Sequence, residues 1–317
     1  SKSFYLIGLK GYSEEKDLID ADWQVYSSNL LSNKNGAIAI SLGDPENGSS
    51  TEDLIVDVVG WGEDVKVFES SPISTESKKG KSFTRKKTSR DTNNNRNDFK
   101  LNNFPNPNNS KGEKISLVAD STKIKQKVLW EKDKSPYLLE SNKGEFPVIE
   151  KSGRLIIGAD VEVKSLNKNY PALIVKGFLN IRGGENNPVV FSGHKENWGG
   201  IIFDKANSDK SKINYAIFKN GGNESYYRNN KIKEVLNIKD SNIEIKNSKF
   251  KNSSNNQIKI NSGEVLIQDS KFKNSTSSAL IISGENNQEV LIKDSVFENN
   301  YNGIEIRTGA NPKIKNN

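Results

Sequence analysis

The chain has 317 residues, no Cys, no Met and a single His, with 33% apolar residues and a formal net charge of +7. Those numbers exclude disulfide staples, thiol catalysis, Cys-held zinc and paired-His metal sites, and no 18-residue apolar run is present to cross a membrane as a helix. The length allows two domains, and the low apolar content calls for thin cores or regular repeats. The charge is unevenly spread: residues 1–75 hold 13 acidic residues against 5 Lys, and residues 76–100 hold 9 basic against 3 acidic. An AT-rich coding composition explains a Lys excess with no partner involved; an acidic glycan or a nucleic acid partner is the other explanation.

In chain order, "SKSFYLIG" (1–8) reads as a strand, followed by "DLIVDVVGWGE" (53–63), "KGKSFTRKK" (79–87), "DTNNNRNDF" (91–99) and "FPNPN" (104–108). This succession resembles the second half of a lamin-tail domain, which implies an immunoglobulin-like β-sandwich over about 1–110. In bacteria such domains accompany secreted and surface proteins, nucleases among them. The family's opening strands would precede residue 1. Either the sequence is a fragment or another chain supplies those strands at an open sheet edge, which would allow self-association. Within the same stretch, Asp91, Asn93, Asn95 and Asp98 fall at the oxygen spacing of a Ca²⁺ loop, but the EF-hand glycine is missing and Asn102 stands where a bidentate Glu is needed. The other reading is an Asn/Asp-rich turn held by its own side-chain bonds. Residues 111–129 are polar and follow two prolines, and read as a linker or bridging strand.

From residue 183 onward, short Val/Ile/Phe stretches alternate with Asn, Ser, Gly and Asp, which is strand periodicity. "NSKFKNSS" (247–254), "DSKFKNST" (269–276) and "DSVFENNY" (294–301) are copies of one unit. Aligned, they give columns Ile243/Val265/Val290, Ile245/Ile267/Ile292, Ser248/Ser270/Ser295, Phe250/Phe272/Phe297 and Asn252/Asn274/Asn299. Two further columns follow, Ile258/Leu280/Ile304 and Ile260/Ile282/Ile306. A period of some two dozen residues with three strands per copy predicts a β-solenoid in which each copy is one coil. Phe then fills the core, while Asn turns a corner in left-handed geometry and bonds to the Asn above and below. "ENNPVVFSGHKENWGGIIF" (185–203), with "SPYLLES" (135–141) and "GRLIIGADVEV" (153–163), resembles a right-handed parallel β-helix of the bacterial surface type over about 130–317. The resemblance speaks for the fold; that fold hosts lyases, hydrolases, adhesins and passive stalks.

Two features of the coils suggest binding. Lys219, Lys251 and Lys273 share one outward column, with Lys249 and Lys271 in its neighbour. They read either as a solvated face that discourages aggregation or as a stripe for an acidic polysaccharide or teichoic-acid-like polymer. "GGNESYYRNNKIKE" (221–234) lengthens one coil by about ten residues. Its Tyr226, Tyr227 and Arg228 would either stack on sugars or bases or fold back over exposed core. His194 is expected on a surface turn and Trp198 at a coil edge.

Catalytic patterns are scarce. The Asn-Thr-Asp, Asp-Asp, Gly-His-Gly and Arg-Ile-Lys motifs of polygalacturonase-like helices do not occur, and Glu244, Glu298 and Glu305 do not gather in one column as a carboxylate pair must. No phosphate loop or Ser-His-Asp set is visible. The expectation is an all-β, non-catalytic, secreted or cell-surface structural and adhesive protein. Its partner would be an acidic polysaccharide, a cell-envelope polymer or a neighbouring subunit, with no cofactor unless the 91–98 loop takes Ca²⁺. A β-helix polysaccharide lyase or hydrolase is the alternative, and a nucleic-acid-binding module built on the basic segment 76–100 is the second.

Overall fold

Branched and aromatic residues alternating with polar ones over three to five positions favour short strands, and strands this short persist only when neighbours complete their hydrogen bonds. In the computed structural model those neighbours are the preceding and following coils. The structure describes residues 6–9, 21–25, 32, 34–41, 55–76, 81–86, 91–206, 208–284, 289–307 and 309–317. They fall into two compact units, one within Tyr5–Pro105 and one comprising Asn106–Asn317.

The larger unit is a right-handed parallel β-solenoid over residues 116–315. Three parallel sheets hold eight strands each, and successive strands are dealt to the sheets in rotation. Sheet 1 runs from Ser116–Val118 to Val296–Glu298, sheet 2 from Lys123–Ile124 to Asn302–Ile306, and sheet 3 from Lys127–Trp130 to Lys313–Lys315. The register is the one the repeat predicts. Ile243, Val265 and Val290 pair in line, as do Ile245, Ile267 and Ile292. So do Ile258, Leu280 and Ile304, and Ile260, Ile282 and Ile306.

Inward side chains therefore stand over their own kind. Phe191, Phe218, Phe250, Phe272 and Phe297 form one column of stacked rings, with centroids 4.9, 4.7, 5.0 and 4.9 Å apart and planes within 15° of parallel. Each such pair adds roughly 0.5–1.5 kcal/mol beyond the area it buries. Trp198, expected at a coil edge, is buried beside Phe191, and its indole N–H donates to the Lys219 carbonyl at 3.0 Å.

The corners are built from polar ladders. Asn220, Asn252, Asn274 and Asn299 all adopt φ between 55° and 57°, a left-handed conformation that Asn tolerates better than most side chains. Asn274 Nδ2 donates to Asn252 Oδ1 at 3.0 Å, so the expected coil-to-coil bond is present. At the corner between sheets 3 and 1, Tyr215, Asn247, Asp269 and Asp294 take φ of 49–52° in the same way. Next to them the Ser column works as a relay. Ser248 Oγ accepts from the Ala216 N–H, Ser270 Oγ from the Ser248 N–H, and Ser295 Oγ from the Ser270 N–H, each at 3.2 Å. Every hydroxyl in turn donates to the carbonyl two residues before it. The corner amides, which no strand can pair, are satisfied in this way.

Two expectations change. Residues 111–129, read as a linker, carry most of the first coil: Ser116–Val118, Lys123–Ile124 and Lys127–Trp130 pair with the second coil. Ile115, Val118, Ile124 and Trp130 are buried there, too widely spaced among polar residues to show as a pattern. In the unit Tyr5–Pro105, the described residues form two small antiparallel sheets, Gly36–Ser41 with Ile55–Trp61 and Ser82–Arg85 with Phe99–Asn102. A short parallel pair, Ile7–Leu9 with Trp23–Val25, accompanies them. Among the described residues these pairs do not by themselves complete the expected immunoglobulin-like sandwich. Much of 1–54 and of 77–90 lies outside the described residues.

Replacing Phe272 by Ala opens the ring column between Phe250 and Phe297 and is expected to cost about 3–5 kcal/mol. Lys249→Ala, on the outer side of the neighbouring coil, should stay within roughly 0.5 kcal/mol. Denaturant unfolding of the two variants measures the contrast.

Candidate functional site

Because inward Phe alternates with outward neighbours, the residues either side of each Phe face solvent. The register then fixes what stands over what. Ile217, Lys249, Lys271 and Val296 form one outward column of sheet 1, and Lys219, Lys251, Lys273 and Glu298 form the other. The five lysines expected to share two columns do share them. Neighbours in a column are one strand spacing apart, ~4.8 Å, where two ammonium groups in water repel by about 0.9 kcal/mol before salt screening.

One end of this face is neutralised. Glu298 reaches Lys273 at 2.7 Å and Lys271 at 3.3 Å. Hydrogen bonds from Lys273 and then Lys271 hold its carboxyl below the usual range, and the bond to Glu298 raises Lys273. Lys219, Lys249 and Lys251 have no carboxylate within ion-pair distance among the described residues. The acids considered for hydrolysis lie one on each sheet: Glu244 on sheet 3, Glu298 on sheet 1 and Glu305 on sheet 2. Each is bound to a cation, Glu244 to Lys246 at 3.0 Å and Glu305 to Arg307 at 2.8 Å.

The ten-residue excursion folds back instead of projecting. Ser225–Tyr227 and Asn230–Ile232 form an antiparallel hairpin whose two turn residues, Arg228 and Asn229, have φ of 48° and 62°. Paired positive φ values are the signature of the tight turn that matches strand twist. The hairpin lies on the outer face of sheet 2, where Ile232 and Tyr227 cover Phe146, Val148, Ile174 and Ile202. The Tyr227 ring meets Phe146 edge-on at 5.7 Å and its hydroxyl donates to Asp204 Oδ2 at 3.0 Å. Arg228 reaches the same oxygen at 3.2 Å. Of the three residues considered for ligand stacking, Tyr227 and Arg228 are therefore held by Asp204. Tyr226 is exposed, its hydroxyl on Glu224.

The four oxygen residues of the 91–98 loop do different jobs. Asn95 is fully buried; its Oδ1 accepts from the Gly60 N–H at 2.8 Å and its Nδ2 donates to the Val58 carbonyl at 2.8 Å. Asp98 accepts from the Thr92 N–H and hydroxyl at 2.8 and 2.9 Å, and the Thr92 amide holds its carboxyl below the ordinary value. Asp91 accepts from the Asn93 N–H at 3.0 Å, and Asn93 takes φ 51°. The bonds of Asp91 and Asp98 stay within the loop, and those of Asn95 tie it to the strand Ile55–Trp61. Asp91 instead meets Asp57 and Glu69, with one oxygen of each within 4.8 Å of the others. Burial, then the charges of Asp57 and Asp91, raise the Glu69 carboxyl. Arg85 lies 3.5 Å from both aspartates, so the group already has a cation beside it.

A further basic feature escaped the sequence reading. On sheet 3, next to the lysine face, an open groove of about 530 Å³ is lined by Arg182, Lys212, Lys246 and neighbouring asparagines, with Glu244 its acid. Its coils at 180–214 lie before the three copies that could be aligned, so its columns appear only once sheet 3 is in register.

Comparison of the chain with protein-family models, curated proteins and solved structures finds no match. Among the described residues no helix is long and apolar enough to cross a membrane.

Burial, and then the Asp204 charge, push the Tyr227 phenol up to about 12. A raised phenol pKa means that the folded chain holds the proton more tightly than the unfolded one. The hairpin's stability is therefore complete below the unfolded value near 10 and is lost as pH climbs from there through about 12. Tyr227→Phe should remove one late-ionising phenol from a spectrophotometric titration and make the alkaline loss of stability shallower. Tyr137, pushed up to about 12 by burial, remains as the internal control.

Proposed function

We propose that this is a non-catalytic structural and adhesive protein whose solenoid binds an acidic polysaccharide or cell-envelope polymer through the lysine face of sheet 1. The supporting observation is the stacking of Lys219 on Lys251 and of Lys249 next to them, in register and without carboxylate partners among the described residues. A single Glu neutralises the upper end of both columns, so the same device was open to the lower coils, and they lack it. Cations held ~4.8 Å apart on a rigid sheet repel one another until a polyanion threads between them, and that relief favours binding. The same geometry without a ligand would serve as a solvated, aggregation-resistant face, and binding is what separates the two.

The acidic N-terminal unit is read, by its resemblance to lamin-tail domains, as part of a sandwich presented with the solenoid outside the cell. A neighbouring subunit docking there is compatible with the same role.

Polygalacturonate, a sulfated glycan and a neutral glucan immobilised side by side provide the test. Retention of the two anionic polymers should weaken steeply with added salt, and the neutral one should not be retained. Lys251→Glu should cut affinity roughly fivefold at low salt with an unchanged unfolding midpoint. Equal retention of the neutral glucan, or release of soluble fragments from any polymer, overturns the proposal.

A further inference from the structure

We infer that the groove formed by Arg182, Lys212 and Lys246 is a second anion subsite, and that a linear acidic glycan bound to the lysine face turns the corner of the solenoid to fill it. This rests on the polysaccharide reading above and goes beyond it by giving the ligand a path.

Both ends of the lysine columns point away from a straight axial course. Toward the C-terminal coils they close on Glu298. Toward the N-terminal coils the Lys249 column continues as Ile217 and Val190, which carry no charge. The Lys219 column meets its next lysine, Lys164, only beyond Ser192, and that lysine is paired with Glu162 at 3.0 Å, so the nearer positive charge lies sideways. Lys246, last in the strand Ile243–Lys246, and Lys249, first in Lys249–Ser253, are separated by Asn247 and Ser248 alone. From Lys246 the column descends through Asn214 to Arg182, with Lys212 in the adjacent column.

The groove is built for an oxyanion. Arg182 and Lys212 are exposed and have no carboxylate at ion-pair distance among the described residues, and the one acid lining the groove, Glu244, is held by Lys246. With the Asn180 amide oxygen toward it, the guanidinium of Arg182 gives Nε and Nη2 to that oxygen at 2.9 and 3.1 Å. That fixes its plane and leaves other N–H donors for a carboxylate or sulfate. Within the lysine face the cations are one strand spacing or two residues along a strand apart, ~5–7 Å; around the corner Lys246 and Lys249 are three residues apart, and Arg182 stands two strand spacings, ~10 Å, from Lys246 with Asn214 between them. No aromatic residue stands in these columns between residues 180 and 251, so a single-stranded nucleic acid would find charge without a stacking platform.

Oligogalacturonates of increasing length, titrated calorimetrically against the whole chain, test the path. Three proteins are compared: the unsubstituted chain, Arg182→Gln/Lys212→Gln, and Lys249→Gln/Lys251→Gln. All substitutions are outward, and matching thermal unfolding confirms that each protein is folded. Loss of the groove pair should leave the shortest oligomers unaffected and weaken long ones about tenfold, with a shallower salt slope. Arg182→Lys, which keeps the charge and loses the fork, should fall between. If long oligomers respond only to the Lys249/Lys251 pair, the corner path is overturned while the lysine-face reading stands. If no oligomer or polymer binds the unsubstituted chain, both fall. Duplex DNA bound as tightly as the uronates would overturn the choice of a glycan.

Discussion

The parallel hydrogen-bond ladder between coils governs everything else in the solenoid. It fixes the distance from one coil to the next at a single strand spacing, and it admits no slip, because a one-residue shift would turn every Phe outward. Once coils are locked this way, like residues have to stand over like residues. For Phe, Ile and Ser that is favourable: rings stack, branched chains interlock, and hydroxyls pass hydrogen bonds up the corner. For Lys it is unfavourable, since the same ladder that aligns the core aligns the charges. The lysine face is thus a product of the core's own regularity, and it needs an external explanation only because it is left unneutralised in three places.

The repeat was legible because the period is short and its marker residues are scarce. Phe250, Phe272 and Phe297 sit among Lys, Asn and Ser, so their columns stand out, and the left-handed Asn corners followed from side-chain chemistry. The fate of Tyr227 and Arg228 was not legible. It depends on Phe146, Val148, Ile174 and Ile202, four apolar side chains from three other coils that become one outward patch only after sheet 2 is assembled. The first coil was hidden for the opposite reason. Its strands are two to four residues long and begin with polar side chains, so residues 111–129 resemble a linker until the second coil supplies their partners. In the 91–98 loop, the spacing of oxygens fits a turn and a cation loop alike. The partners of these side chains, Gly60 and Val58 for Asn95 and Thr92 for Asp98, appear only once the chain is folded.

Polar residues inside this protein are arranged to finish the backbone's hydrogen bonding. Asn95 fastens the strand Ile55–Trp61 to the loop at Glu69. Glu234, buried at the root of the hairpin, accepts from the Lys233 N–H and from Asn237 and Asn256. Such fully bonded carboxylates and amides are costly to disturb and are poor candidates for chemistry. The cations without an ion-pair partner among the described residues that the binding proposals use, Lys219, Lys249, Lys251, Arg182 and Lys212, lie outside, on sheets 1 and 3.

The hairpin enters between Ala216–Lys219 on sheet 1 and Glu234–Lys239 on sheet 2, and the coil closes on its neighbours as though nothing had been inserted: Leu236 and Ile238 still pair with Ile258 and Ile260. That junction is a tolerant port. Chain of other lengths can be spliced there without retuning the strand register, provided that the new segment still covers Phe146, Val148, Ile174 and Ile202, so the scaffold can exchange a surface appendage while its ladder stays in place.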